Sequence, residues 1–293
     1  METPPQAAAR IDHLVLPVEA LATARARYAA LGFTVAPDGV HPFGTRNACV
    51  YLADGIFLEP LAIGDPAACE TAANAGNVFV ARDRAFRRNV APEGCSALVL
   101  ASDDAEADHA RFVSEGVSAG PVLEFSRPFI DAAGARDTAS FRLAYADLAG
   151  ARESFVFSCQ RLNAPKVDRS ALSSHPNGVT GLAGVTIVAD DPARAERALA
   201  GVARVAGQPG QPLPIGDAAI TVMRPDSYAR RFGAPPPPHA DCGYALVSFR
   251  VRDLAATRAL LAAAGISHQG AGDALFVPRA EGQGVDFLFE EAP

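Results

Sequence analysis

Apolar and polar positions alternate along IDHLVLPV (residues 11–18), with Leu14, Leu16 and Val18 on one face and His13 on the other. That period of two predicts a strand. From Leu21 the period lengthens: Leu21, Ala24, Tyr28 and Leu31 form one helical stripe, and Gly32 follows as a left-handed stop. Between 33 and 63 short apolar runs are separated by Pro-Asp-Gly, Gly-Thr and Asp-Gly turns. The predicted unit is strand, helix, then about three strands.

The unit recurs. VEALATARARYAALG (18–32) aligns without a gap on VRDLAATRALLAAAG (251–265), with Val18, Leu21, Arg25 and Gly32 among the identities. Another copy opens at Ser96 with SALVLAS, a helix predicted over Ala105 to Ser114, and Gly116. A further copy opens near Leu182 with LAGVTIVADDP, where Pro192 suits a helical first turn. One such unit leaves an apolar sheet face and open edges, so units should pair. The expected fold is α+β, with four βαβββ modules paired into two halves of curved mixed sheet. Residues 1–9 read as a loose tail, 10–160 as the first half with the working cleft, 161–181 as a polar linker, and 182–293 as a second half. QPGQPLP (208–214) and APPPPHADC (234–242) read as loops within that second half.

Composition narrows the function. Hydrophobic residues make up 49% of 293, enough for a full core, and 33 acidic against 26 basic side chains give a net charge of −7. That balance argues against a phosphate-tracking surface, so no nucleic-acid partner is expected. No apolar run is long enough to cross a bilayer, so no membrane partner is expected either. The N-terminus lacks the pattern of a signal peptide. Five widely spaced cysteines without a CxxC fit reduced thiols in the cytoplasm. No dinucleotide fingerprint, P-loop or G-x-S-x-G occurs, so no nucleotide cofactor is expected.

IDHLVLPV, LGFTV (31–35), HPFGTRNACVYLADGIFLEPLAI (41–63) and ALFVPRAEGQGVDFLFEE (274–291), with HPNG (175–178), resemble the vicinal oxygen chelate superfamily of glyoxalase-like proteins. The resemblance implies halves of the glyoxalase/bleomycin-resistance/dioxygenase type, a small-molecule ligand and, by analogy, a homodimer. It also puts metal ligands at positions like His13 and Glu59. Superfamily members include lyases, epimerases, dioxygenases and metal-free binding proteins, so the site must decide the chemistry.

Helices should cover the Leu14 face, which turns His13 toward the cleft. Glu59 shares a face with Phe57 and Leu61 in an apolar strand, and a buried carboxylate needs a partner. An imidazole and a carboxylate suit a divalent Zn, Fe, Mn, Ni or Co ion. The equivalent positions in the other units read Ala97 and Phe157, Gly184, then Leu246 and Phe289, none of them a ligand. His41 is the leading third ligand, with Gln160 and His175 as alternatives. Thr45, Asn47, Phe57 and Arg127 are the expected substrate contacts, although Arg127 would equally serve to brace a hairpin. Arg142 and Tyr145 are further candidates. His109 and His239 read as surface, and His268 as a turn residue beside the second cleft.

Three functions follow. The first is a metal-assisted lyase or isomerase acting on a small oxygenated molecule, with Glu59 as the alternative general base. Another is a metal-free binding or sequestration protein with an apolar pocket. The third is a structural or interaction module, with the second half serving only stability or dimerisation.

Overall fold

The computed structural model describes residues 9–130, 136–148, 151–165 and 167–292. The first unit runs β1 (Ile11–Pro17), α1 (Leu21–Ala30), β2 (Gly39–Val40), β3 (Thr45–Asn47), β4 (Val50–Tyr51) and β5 (Phe57–Ile63). Two helices follow, α2 (Pro66–Asn74) and α3 (Val78–Asn89). The second unit is β6 (Ala97–Ser102), α4 (Ala105–Ser114), β7 (Leu123–Ile130), β8 (Arg136–Leu148) and β9 (Ala151–Asn163). These strands form one sheet in the order β2-β3-β5-β1-β6-β9-β8-β7, with β4 pairing β5.

β1 and β6 meet antiparallel at the centre of that sheet, and each lies parallel to the last strand of its own unit. His13 pairs with Val99, and Val15 with Ala97. This register makes the two units pseudo-twofold mates about Leu14 and Leu98, so Ala97 is the counterpart of His13. By the same register Phe157 is the counterpart of Glu59. The sheet curls until its edges approach: Phe125 of β7 reaches His41 with ring centroids 5.7 Å apart.

The second sheet repeats the plan with β10 (Val179–Ala189), α5 (Pro192–Ala203), β11 (Leu213–Ile215), β12 (Ala218–Met223), α6 (Pro225–Phe232), β13 (Cys242–Val251), α7 (Leu254–Ala263), β14 (Gln269–Gly270), β15 (Ala274–Val277) and β16 (Asp286–Glu291). Its order is β11-β12-β10-β13-β16-β15-β14. The architecture is the α+β arrangement of paired units with curved mixed sheets that the repeat predicts. The third unit contributes two strands after its helix rather than three.

Strand alternation divides the interior. Leu14, Leu16, Leu58 and Leu98 face a core shared with Val185, Val247, Phe249, Phe287 and Phe289 of the second half. The two sheets therefore stand back to back, with their concave faces turned away from each other. Phe33 sits at the junction, with ring centroids 5.2 Å from Phe249, 6.3 Å from Phe287 and 6.2 Å from Phe289. The Tyr28 hydroxyl donates to the Gln283 carbonyl at 3.1 Å, and the Leu182 N–H donates to the Asp54 carboxylate at 2.7 Å.

Each concave face is partly filled by the helix inserted between its two units. In the first half Phe79 and Val80 of α3 pack on Val15, Leu61, Ala97 and Phe155. In the second, Tyr228 and Phe232 of α6 pack on Val188, Leu246 and Leu288. Asp65 caps α2 through the Ala68 N–H with Pro66 in the first turn, and Asn77 caps α3 through the Val80 N–H.

Residues 1–8 of the expected tail lie outside the described residues, and Ala9 is buried with its N–H on the Ala203 carbonyl. Strand β9 runs to Asn163 and β10 begins at Val179, so the connection between sheets is shorter than 161–181. HPNG bolts this connection to the first unit. The His175 Nδ1 accepts the Thr34 N–H at 3.0 Å, and its Nε2 donates to the Tyr51 carbonyl at 3.0 Å. Asn177 donates to the Leu31 carbonyl at 2.9 Å. Burial holds the His175 imidazole below its usual pKa. A neutral ring is required here, because protonated Nδ1 cannot accept from Thr34. The folded state thus binds fewer protons than the unfolded one, and stability must fall as pH drops below the usual imidazole range. We expect urea midpoints to decline more steeply from pH 7.5 to 5.5 in the wild type than in His175→Gln. Parallel declines would remove His175 as the cause.

Candidate functional site

The first-half trough gathers a buried polar cluster on one wall. His13 on β1 and Phe57 on β5 are register partners, and their rings stack at 4.4 Å with a 15° interplanar angle. Two residues on, Glu59 points to the same face. The turn before β3 brings in His41: Gly44 at φ +94° closes it, and the His41 N–H bonds the Thr45 carbonyl at 2.9 Å. A Cβ at Gly44 would stand 2.6 Å from the Asp65 carbonyl, so the turn requires glycine.

Both imidazoles aim Nε2 at Glu59, His13 at 3.5 Å from Oε2 and His41 at 3.7 Å from Oε1. Each has its other nitrogen engaged. The His13 Nδ1 lies 2.6 Å from the Asp12 carboxylate, and the His41 Nδ1 lies 2.9 Å from the Thr45 hydroxyl. Asn47 donates to Glu59 Oε1 at 2.6 Å. All of these side chains are nearly closed to solvent, with Glu59 at 5% exposure and no Lys or Arg paired to it among the described residues.

The electrostatics follow from burial. Burial depresses the His41 pKa to about 4 against the pull of Glu59, and Arg127 and His13 add to the depression, so His41 is neutral near pH 7. Burial alone would raise the Asp12 carboxyl, but the hydrogen bond and charge of His13, with the Arg161 guanidinium, outweigh it and hold the pKa below the ordinary carboxylate value. Asp12 is thus an anion that holds His13 by Nδ1 and turns its Nε2 toward the trough.

The opposite wall is apolar. Ala97, Val99, Phe155, Phe157 and Tyr145 face Glu59 across the trough. The Tyr145 hydroxyl is enclosed and has no hydrogen-bond partner among the described residues. The described cysteines are free and buried, and burial pushes the Cys49 thiol up to about 12, which suits packing rather than nucleophilic chemistry.

A family model described as a glyoxalase-like domain matches residues 11–203. The chain belongs to the glyoxalase-like domain family. The match spans the first sheet and the opening strand and helix of the second, and it places the chain in the vicinal oxygen chelate superfamily. Three solved structures share the fold. A hypothetical protein from Staphylococcus aureus aligns with a TM-score of 0.62 at 13% identity, over 97% of this chain and 100% of its own. A mutant of 4-hydroxymandelate synthase from Streptomyces coelicolor aligns at 0.63 and 13%, over 98% and 93%. A xylose isomerase-like TIM barrel/4-hydroxyphenylpyruvate dioxygenase fusion protein aligns at 0.57 and 12%, over 99% of this chain and 50% of that one. Comparison with curated proteins by sequence gives no match.

Within this glyoxalase-like frame, His13, Glu59 and His41 come together, with Thr45, Asn47 and Phe57 around them. The Thr45 hydroxyl bonds His41 and the Asn47 Nδ2 donates to Glu59. The Arg127 guanidinium lies 5.9 Å over the Phe141 ring and near Gly39, where a Cβ would stand 2.6 Å from its Nη1. It makes no bracing bond among the described residues, and its Nε is buried without a partner.

Other candidates fall elsewhere. Gln160 caps α4 through the Ala105 N–H and the Asp103 carbonyl, so it is not a third ligand. His175 has both nitrogens engaged in the connection between sheets. Arg142 turns outward to Glu124 at 2.7 Å. His109, read as surface, is half-buried with Nδ1 unpartnered among the described residues. His239 and His268 bond the nearby Pro237 and Ile266 carbonyls. The position matching Glu59 in the fourth unit is Leu288, two residues beyond the Leu246 partner Asp286, while Phe289 faces the shared core.

Asp12 and Arg161 were not among the sequence candidates. An acidic residue beside a strand histidine, opposite the predicted cleft face, was the available signal.

Proposed function

We propose that the first-half trough is an active site in which His13, Glu59 and His41 hold a divalent transition ion, and that it converts a small oxygenated molecule by lyase- or isomerase-type chemistry. The observation that carries this reading is a buried carboxylate with no Lys or Arg partner among the described residues, faced by two imidazole nitrogens whose opposite nitrogens are engaged. The separations of 3.5 and 3.7 Å are too long for good hydrogen bonds. They lie just beyond the about 3.0–3.4 Å between neighbouring ligand atoms on one ion. Among the described residues no three such side chains stand drawn together as a finished cage, so binding requires these side chains to close on the ion.

A Zn, Fe, Mn, Ni or Co ion bound there would supply Lewis acidity to a carbonyl or enolate oxygen. The protein's own part is positional. Asp12 orients His13 through Nδ1, Thr45 orients His41, and Asn47 aims one oxygen of Glu59. Phe57 covers the His13 ring and keeps water from that side. The other oxygen of Glu59 is placed to accept a proton from the ligand.

Metal content after purification and dialysis tests the reading. We expect about one ion per chain in the wild type and less than about a tenth of that in His13→Ala and Glu59→Gln, with unchanged circular dichroism. A wild type that stays metal-free after dialysis against these ions would leave the second reading. That one is metal-free sequestration, favoured by Ala97 and Phe157 on the opposite wall. The same reading takes the protein as cytoplasmic with reduced thiols and, by family analogy, as a homodimer. No helix of the described residues is long and apolar enough to cross a membrane.

A further inference from the structure

We infer that the ligand of the first-half trough is an organic acid, with a carboxylate received by Arg127 and an apolar body resting on the aromatic rings of the mouth. This rests on the trough being the working site and adds the class of molecule it takes.

Arg127 lacks a partner where one is needed. Its guanidinium has no hydrogen bond or ion pair among the described residues, and its Nε is buried and unsatisfied. Buried polar atoms of this kind call for an acceptor. The acids of the neighbourhood are committed elsewhere. Asp38 holds Arg25 and Arg46, Asp12 holds His13 and Arg161, and Glu59 receives Asn47. No acceptor for it stands among the described residues, and a ligand would supply one.

The position is specific. Gly39 lacks the Cβ that would crowd both Arg127 and Asn47, and Asn47 is the residue bonded to Glu59. An acid held by Arg127 would thus lie beside the reacting cluster. A second guanidinium, Arg169, stacks 4.5 Å over the Tyr51 ring beside Phe57. A single guanidinium fork fits a carboxylate by two parallel N–H bonds. The half-buried, stacked Phe125 and Phe141 beside it, with Phe57 over His13, favour an apolar body.

Calorimetric titration of the full chain with phenylacetate and with its neutral analogue phenylacetamide tests this. In the wild type the acid should bind at least about 10-fold more tightly than the amide. Arg127→Met should weaken the acid by about 10- to 100-fold and leave the amide unchanged. Arg46→Gln, which removes an exposed charge already paired with Asp38, should change neither. If Arg127→Met does not fold, Arg127→Gln is read the same way. Equal binding of acid and amide, binding of neither, or an acid affinity unchanged in the Arg127 variant would overturn the inference. Metal content in the same samples separates the two ideas. Metal without acid preference leaves the site reading standing and removes this one, and acid preference without metal does the reverse.

Discussion

Replacing Phe33 with alanine is expected to lower the free energy of unfolding by about 3–5 kcal/mol. Phe33 is 4% exposed and touches aromatic rings of both halves, with Tyr28 and His175 on one side and Phe249, Phe287 and Phe289 on the other. The loss combines the transfer free energy of the ring with a cavity that two rigid sheets cannot close. The core is continuous from one half to the other, so the wild type should unfold in a single transition. The variant should unfold earlier, with the same denaturant slope if the halves still melt together. A loss below about 1 kcal/mol in urea unfolding would mean that the halves are held by something other than this junction.

The second large effect runs in the opposite direction. In protein stripped of divalent ions, Glu59→Gln should raise stability by about 1–4 kcal/mol. Glutamine keeps an oxygen for Asn47, which donates at 2.6 Å, and removes a charge that has no Lys or Arg partner among the described residues. A carboxylate in an apolar hollow costs more in lost hydration than one neutral hydrogen bond returns. The same substitution should abolish metal retention, so stability and site integrity would move apart, as expected where a site is maintained against the interest of the fold. Equilibrium urea unfolding with chelator present measures the first effect. A destabilised Glu59→Gln in that assay would show that the charge is already compensated within the chain, and the case for an external cation would fail.

Much of the frame was legible in the sequence because the repeat carries local signals. The predicted helix over Ala105 to Ser114 coincides with α4, and the aligned segments at 18–32 and 251–265 contain α1 and α7. Pro192 opens α5, and Gly32 takes φ +81° after α1. Helices α2, α3 and α6 escaped notice because they lie outside the repeated unit. The pairs Asp65–Pro66 and Arg224–Pro225 and the cap Asn77 were the available punctuation.

The site was legible where alternation alone decides direction, as for His13 and Glu59. It was not legible where register or long-range contact decides. DFLFEE is hydrophobic at adjacent positions, so only pairing with β13 shows that Leu288, not Phe289, takes the trough position. That Arg127 reaches the pocket depends on a sheet curled far enough to bring its two edges together, which no local pattern encodes.

The two walls of the trough are mates by rotation and opposites in chemistry: His13 and Glu59 on one, Ala97 and Phe157 on the other. A flat ligand lying between them meets the imidazoles and carboxylate from one side and mainly apolar rings from the other. On the proposed reading, a trigonal carbon would receive hydrogen on a single face, so a prochiral ligand would yield one enantiomer. The backbone of the two units is symmetric, and the difference in side chains makes the pocket handed.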